Sequence, residues 1–268
     1  MRLNFHQIDA FASAPFEGNP AAVMPLDAWL DDATLQAIAA ENNLAETAYI
    51  VARTDGIADY DLRWFTPTLE VELCGHATLA SGHFLLAAEP GRQTVTFATN
   101  VSGVLEVRRD GAGYTVSLPA LPCTPAPLDP AVDAALGARV EALLRHPKGY
   151  LIAVFADAAT VRGLAPDLRA VARLPEMTVI VTAPGDVADV VSRVFVPAGG
   201  IDEDPVTGSA HAALTPYWAM RLGRDSFTAY QASARSGHVR CALSGDRVLL
   251  GGKCVTVVEG VFLLGSDA

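Results

Sequence analysis

Two short strings in this sequence set a glycine beside a hydrogen-bonding residue at the start of an apolar, helix-like stretch: Gly75-His76 and Gly208-Ser209. A helix start leaves its first N–H groups without intrahelical partners. It also carries roughly half a positive charge, so it suits a carboxylate or a phosphate. Two such starts could face one cleft and hold one small anion. Other chemistries find less to work with. Cys74, Cys123, Cys241 and Cys254 are scattered with no Cys-x-x-Cys string, and they read as reduced thiols. The six histidines are not spaced as ligand pairs, so no metal is expected. There is no Gly-x-Ser-x-Gly string for a hydrolase and no Gly-x-x-x-x-Gly-Lys string for a nucleotide. The two lysines, Lys148 and Lys253, lie outside every candidate site, which argues against a pyridoxal phosphate Schiff base. No cofactor is expected.

The elements that would position these helix starts repeat along the chain. A shift of 130 positions lays Glu46 on Glu176, Ile50 on Ile180, Val51 on Val181, Arg63 on Arg193, Phe65 on Phe195 and Pro67 on Pro197. A three-residue insertion then brings Gly75 onto Gly208 and Ala77 onto Ala210. Two copies of one supersecondary unit are implied. In each, an amphipathic helix (Asp31–Asn42, Pro166–Arg173) leads into a strand (Thr47–Ala52, Thr178–Ala183) and a second strand (Tyr60–Phe65, Asp189–Val196). A helix follows. The first, Ala77–Ala88, is apolar nearly all round and so reads as buried on every side, with Ala77, Ala80, Ser81 and Gly82 allowing strands to approach closely. The second, from Ser209 to about Arg221, contains Pro216, which should kink it. Strands at Gln93–Thr99, Gly103–Arg108 and Tyr114–Leu118 close the first half. Those at Phe227–Ser233, His238–Leu243, Arg247–Leu250 and Cys254–Leu264 close the second.

The fold class expected is α+β: two pseudo-symmetric lobes, each a curled, barrel-like mixed sheet around a central buried helix. The first lobe covers residues 1–119, completed by a C-terminal strand within 257–268. A proline-rich linker spans 120–130, and the second lobe covers 131–256. At 268 residues, two lobes are a natural division, and 51% hydrophobic residues supply a sizeable core. The formal charge of −11 repels nucleic acid and anionic membrane, leaving small molecules or protein partners. The N-terminus lacks the apolar run of a signal peptide, and no apolar stretch is long enough to cross a bilayer, so a cytoplasmic protein is expected.

Five strings resemble the signatures of the phenazine-biosynthesis PhzF family, in family order and across most of the chain. They are Gly18-Asn19-Pro20-Ala21-Ala22-Val23, Glu41-Asn42-Asn43-Leu44-Ala45-Glu46-Thr47-Ala48-Tyr49, Phe65-Thr66-Pro67, Cys74-Gly75-His76-Ala77-Thr78-Leu79-Ala80 and Glu203-Asp204-Pro205-Val206-Thr207-Gly208-Ser209-Ala210. The resemblance implies the two-lobed diaminopimelate-epimerase-like fold and a cofactor-independent isomerase that shifts a proton on a small carboxylated substrate bound between the lobes, an amino or hydroxy acid of the dihydro-hydroxyanthranilate kind. Carried over by position, Glu46 is the proton-shuttling carboxylate, with His76 and Asp204 as further catalytic groups. Asn19, Gly75, His76, Gly208 and Ser209 then contact the substrate. A homodimer is the expected assembly.

One position departs from the family: the residue before the catalytic Glu is often Ser, and here it is Ala45. The missing hydroxyl sets the phenazine precursor itself in doubt as substrate. Related epimerases use two thiols, and the second helix start offers none, so two-thiol racemisation is unavailable. A mixed Glu46/Cys74 epimerase stays open, as does a non-enzymatic metabolite-binding protein on the same fold. Beside a helix N-terminus, Cys74 should have a lowered pKa.

Overall fold

The computed structural model describes residues 1–265. Contacts divide the chain into two units, Met1–Ser117 with the segment from Gly251 onward, and Leu118–Leu250.

The first unit contains β1 (Arg2–Ala10), β2 (Asn19–Leu26), α1 (Asp32–Asn42), β3 (Glu46–Ala52), β4 (Tyr60–Phe65), β5 (Glu70–Val71), α2 (Gly75–Ala88), β6 (Thr94–Ala98), β7 (Val104–Asp110) and β8 (Gly113–Pro119). β2 is buried almost throughout because it is flanked by β1 and β3 and covered on both faces. On one face Met24, Leu26, Tyr49 and Phe65 pack against Leu35, Ile38 and Ala39 of α1. The other face receives α2, of whose 14 residues ten are buried. Two-sided cover explains why β2 and β3 read as apolar runs rather than as alternating strands. Small residues make the fit of α2 possible: a Cβ added to Gly82 would lie 2.5 Å from Cβ of Val107 on β7. The sheet lays its faces on helices and stays open, rather than closing into a barrel.

The second unit runs β9 (Thr124–Ala126), α3 (Pro130–Leu136), β10 (Ala142–His146), β11 (Tyr150–Val154), α4 (Ala158–Gly163), α5 (Leu168–Val171), β12 (Thr178–Pro184), β13 (Val190–Val196), β14 (Ile201–Glu203), α6 (Gly208–Leu222), β15 (Ser226–Gln231), β16 (Gly237–Ser244) and β17 (Arg247–Gly252). Its outer core joins Val132, Leu136, Val161 and Val171 of α3–α5 to Leu151, Val179, Val181 and Phe195 of the sheet. The stretch 120–130 is not a bare linker. Residues 124–126 form β9 and pair antiparallel with β10, Pro125 opposite Leu144. α6 runs through Pro216. Proline leaves the carbonyl four residues back, that of Ala212, without its helical donor, and the Leu121 N–H takes it at 3.1 Å. The last strand, β18 (Cys254–Leu263), pairs antiparallel with β1 in the first unit.

Equivalent pairings run through both units. β2 lies parallel to β3 as β11 does to β12, and β4 parallel to β6 as β13 does to β15. Two polar clamps are also repeated. Arg63 is bidentate to Glu70 (2.8 and 2.7 Å) and stacks on Phe65, while Arg193 is bidentate to Glu203 (2.8 and 2.9 Å) and stacks on Phe195. Asp59 accepts from the backbone and hydroxyl of Thr96 and pairs with Arg92; Asp189 does the same with Thr228 and Arg224.

The strand registers correct one detail of the repeat. Tyr49 faces Arg63 across β3–β4, but Val181, not Val179, faces Arg193 across β12–β13. The connection is two residues shorter in the second unit, 185–189 against 53–59. Glu46 therefore corresponds to Thr178, as the parallel pairings Ala21↔Glu46 and Tyr150↔Thr178 confirm. Glu176 is buried and ion-paired to Arg145 at 3.1 Å.

Candidate active site

In the first unit, two strand starts and one helix start converge. Asn19 opens β2, Glu46 opens β3 two places along its parallel partner, and His76 is the second residue of α2. The entry to β2 requires glycine: Gly18 has φ +66°, and any Cβ there would collide with the Ala10 carbonyl. The entry to β3 is set by the Asn-Asn pair ahead of it. Asn43 takes the left-handed conformation that ends α1, and the Asn42 amide donates to the Thr47 hydroxyl at 3.1 Å.

These elements bring Glu46 Oε2 to 3.0 Å from His76 Nε2, with the side chains 14% and 4% exposed. On the other edge of the ring, Nδ1 lies 3.1 Å from the Asn19 amide and 3.5 Å from Cys74 Sγ. Asn19 is fully buried, so it faces the histidine from inside the fold. A primary amide can donate to a bare ring nitrogen or accept a ring N–H, and so it serves both charge states of His76. Burial favours the neutral ring, but the acidic Cys74 and Glu46 flanking it hold the His76 pKa well above its ordinary 6.5. Cys74 contradicts the lowered pKa expected at a helix start. It is buried, and burial first, then the Glu46 charge, push the thiol up against the opposing pull of His76.

Donor atoms of Glu46, Cys74 and His76 all lie within 4.8 Å of one another, a grouping the sequence spacing did not suggest. Glu, Cys and His are ligands zinc accepts. Here, however, the thiol addresses Nδ1 and the carboxylate Nε2, and one imidazole cannot turn both nitrogens to a single ion.

The His76 shift has a consequence for stability. A folded-state pKa raised above the unfolded value contributes stability that is complete below about 6.5 and lost as pH rises through the folded value. Urea midpoints of the wild type and His76→Gln, measured from about pH 5.5 to 9.5, should differ most at the acid end and converge upward. A gap that widens with pH would reverse the assignment of charge.

In the second unit, Asp204 and Thr207 are buried just ahead of α6, Gly208 is buried and Ser209 half-buried. Threonine at a helix N-cap usually accepts from an N–H of the first turn. Thr207 does not: its hydroxyl donates to the Asp204 carboxylate, as Cys74 also makes no cap bond to α2. Both helix starts thus keep first-turn N–H groups uncapped by the preceding side chain. Gln231, fully buried at the end of β15, accepts from Thr207 N–H at 2.8 Å and donates to the Asp204 carbonyl at 2.7 Å. Sequence inspection missed Gln231 because it lies 27 residues beyond Asp204 in a strand whose pattern signals only burial. His211, also buried, directs Nδ1 to the Thr207 carbonyl at 2.8 Å, and burial lowers its pKa to about 4.

Comparison with known proteins shows the family and the fold. Residues 8–260 match the PhzC-PhzF family, described as phenazine biosynthesis-like protein. An uncharacterized isomerase from Pseudomonas aeruginosa is 48% identical over 265 residues, covering 98% of this chain and all of that one. The crystal structure of a PhzF-family protein from Enterococcus faecalis superposes with a TM-score of 0.90 at 42% identity, covering 98% of this chain and 100% of that one. A hydroxyproline epimerase from Agrobacterium vitis shares the fold, with a TM-score of 0.65 at 13% identity over 97% of this chain and 92% of its own. No helix among the described residues is long and apolar enough to cross a membrane.

Proposed function

This chain belongs to the phenazine biosynthesis-like PhzC-PhzF family, and on that premise we propose that it is a cofactor-independent isomerase that moves a proton on a small carboxylated acid, with Glu46 as the acid/base. The observation that carries the reading is the 3.0 Å approach of Glu46 to a buried His76 whose raised pKa favours the charged ring beside the carboxylate. A carboxylate can take a proton from carbon when it is shielded from water and aimed at a C–H acidified by a neighbouring π-system. The C–H electron pair becomes the π bond to the neighbouring carbon, the old π pair moves onto the far carbon of the original double bond, and Glu46 delivers the proton to that far carbon. Nothing is oxidised or reduced. His76 fixes the direction of the carboxylate, and Asn19 fixes His76. We assign Gly75 in the first unit, and Asp204, Gly208 and Ser209 in the second, to substrate binding: the helix-start amides to a carboxylate and Asp204 to an amino or hydroxyl group.

A second reading, epimerisation by Glu46 with Cys74, draws on the 3.5 Å contact between Cys74 and His76 and on the fold shared with the hydroxyproline epimerase. The raised pKa of the buried thiol weighs against it.

The test is solvent deuterium uptake into a panel of trans-4-hydroxyproline, glutamate and a dihydro-hydroxyanthranilate. Uptake at a ring carbon of the unsaturated acid, retained in Cys74→Ala, supports the isomerase. Uptake only at the α-carbon of a saturated amino acid, lost in Cys74→Ala, selects the epimerase. Binding with no exchange anywhere in the panel leaves a binding protein.

A further inference from the structure

The Asp204–Thr207 segment is held by a side chain from far along the chain. Gln231 is fully buried and its amide is used at both ends. Oε1 accepts the Thr207 N–H at 2.8 Å; Nε2 donates to the Asp204 carbonyl at 2.7 Å and to the Thr207 hydroxyl oxygen at 3.2 Å. The last of these bonds fixes a direction. A hydroxyl has one proton, and with the Gln231 N–H pointed at Thr207 Oγ1, that proton must point away, to Asp204 Oδ2. The chain is one-way: Gln231 Nε2–H to Thr207 Oγ1–H to Asp204 carboxylate. A donor aimed permanently at a carboxylate favours its charged form and fixes its orientation, and a hydrogen bond to a charged acceptor is the stronger kind. It also accounts for the absence of a threonine cap on α6, since the hydroxyl is already committed.

We propose that Gln231 is a positioning residue which, through the Thr207 hydroxyl, keeps the Asp204 carboxylate ionised and oriented for the substrate. This rests on the reading of Asp204 as a substrate-facing group, and the experiment separates the two. Asp carboxyls labelled with ¹³C at Cγ are titrated by NMR in the full chain without substrate, with Asp204 identified by the signal lost in Asp204→Asn. Thr207→Val should move the Asp204 midpoint upward by about one unit, the size expected for one lost hydrogen bond to a carboxylate. Gln231→Met should move it less, because the hydroxyl survives but is free to rotate. Gln231→Glu should move it at least as far as Thr207→Val: a carboxylate at 231 cannot donate, it draws the threonine proton to itself and it adds like charge. Thr207→Ser, which keeps the hydroxyl, should titrate as the wild type. A midpoint unmoved in Thr207→Val and Gln231→Glu overturns the inference. So does an equal shift in Thr207→Ser, which would mark a packing effect. Failure of the underlying reading looks different: Asp204→Asn would then exchange deuterium at the wild-type rate on the panel above, whatever the titrations show.

Discussion

Glu46→Gln should reduce proton exchange into substrate by about 10²–10⁴-fold while leaving substrate affinity nearly unchanged, the loss expected when a positioned acid/base is removed and the binding contacts are kept. Glutamine matches the shape and can set an oxygen at the same 3.0 Å from His76 Nε2, so the local structure has little reason to change. What it cannot do is take up a proton. Glu46→Asp is the complementary case. The base survives but retreats by one methylene, and a displacement of about 1 Å can cost on the order of 10²-fold. Cys74→Ala should be far milder, because the thiol is buried and its raised pKa disfavours the thiolate. Exchange at the wild-type rate in Glu46→Gln, with none in Cys74→Ala, would transfer the role of base to the thiol.

The second large effect is on folding. Gly82→Ala should destabilise the protein by about 1–3 kcal/mol, the usual cost of forcing a methyl into a packed core. On a chain of this size that lowers the melting temperature by roughly 2–4 °C for each kcal/mol. The added methyl meets the branch point of Val107, at 2.5 Å, and a Cβ cannot move without its backbone. α2 would have to back away from β7, and Gly75 and His76 ride on the same helix. Calorimetry on the double variant Gly82→Ala/Val107→Gly, which removes the Val107 Cβ as well as its methyls, distinguishes this clash from the intrinsic preference of helices for alanine. If the clash dominates, the two substitutions couple favourably by about 0.5–3 kcal/mol. A stabilised Gly82→Ala would mean that the helix and strand are less closely apposed than described.

Much of this was legible in the residues. Tyr60–Phe65 alternates and pairs on both sides, and its bounds as a strand are those its pattern suggests. The buried helix declared itself by being apolar all round. The N-terminal strands did not: β2 carries Pro20 and Pro25, which mask a strand that is nonetheless buried along most of its length. β9 was hidden in the same way by the prolines around it. At the site, the resemblance named Glu46, His76 and Asn19 but not the contacts among them; that Asn19 is buried against His76 was not legible, because a Gly-Asn-Pro string looks like any exposed turn. The position of Cys74 at a helix start suggested an activated thiol. Burial outweighs the helix end there, and burial is a property of the whole unit, which no local string encodes. Gln231 was illegible for the same reason.

The pairing of β1 with β18 fixes an order of events in the life of the chain. Every strand of the second unit is synthesised before β18. β1, made first, waits for its outer partner through roughly 240 residues, some 12–50 s at about 5–20 residues per second. During that interval one edge of the first sheet is bare, and a bare edge is a template for any other strand that passes. The unit that carries Glu46 and His76 is therefore the last to be finished, when β18 lies along β1, the Met1 amino group donates to the Leu264 carbonyl and the Leu264 N–H to the Met1 carbonyl.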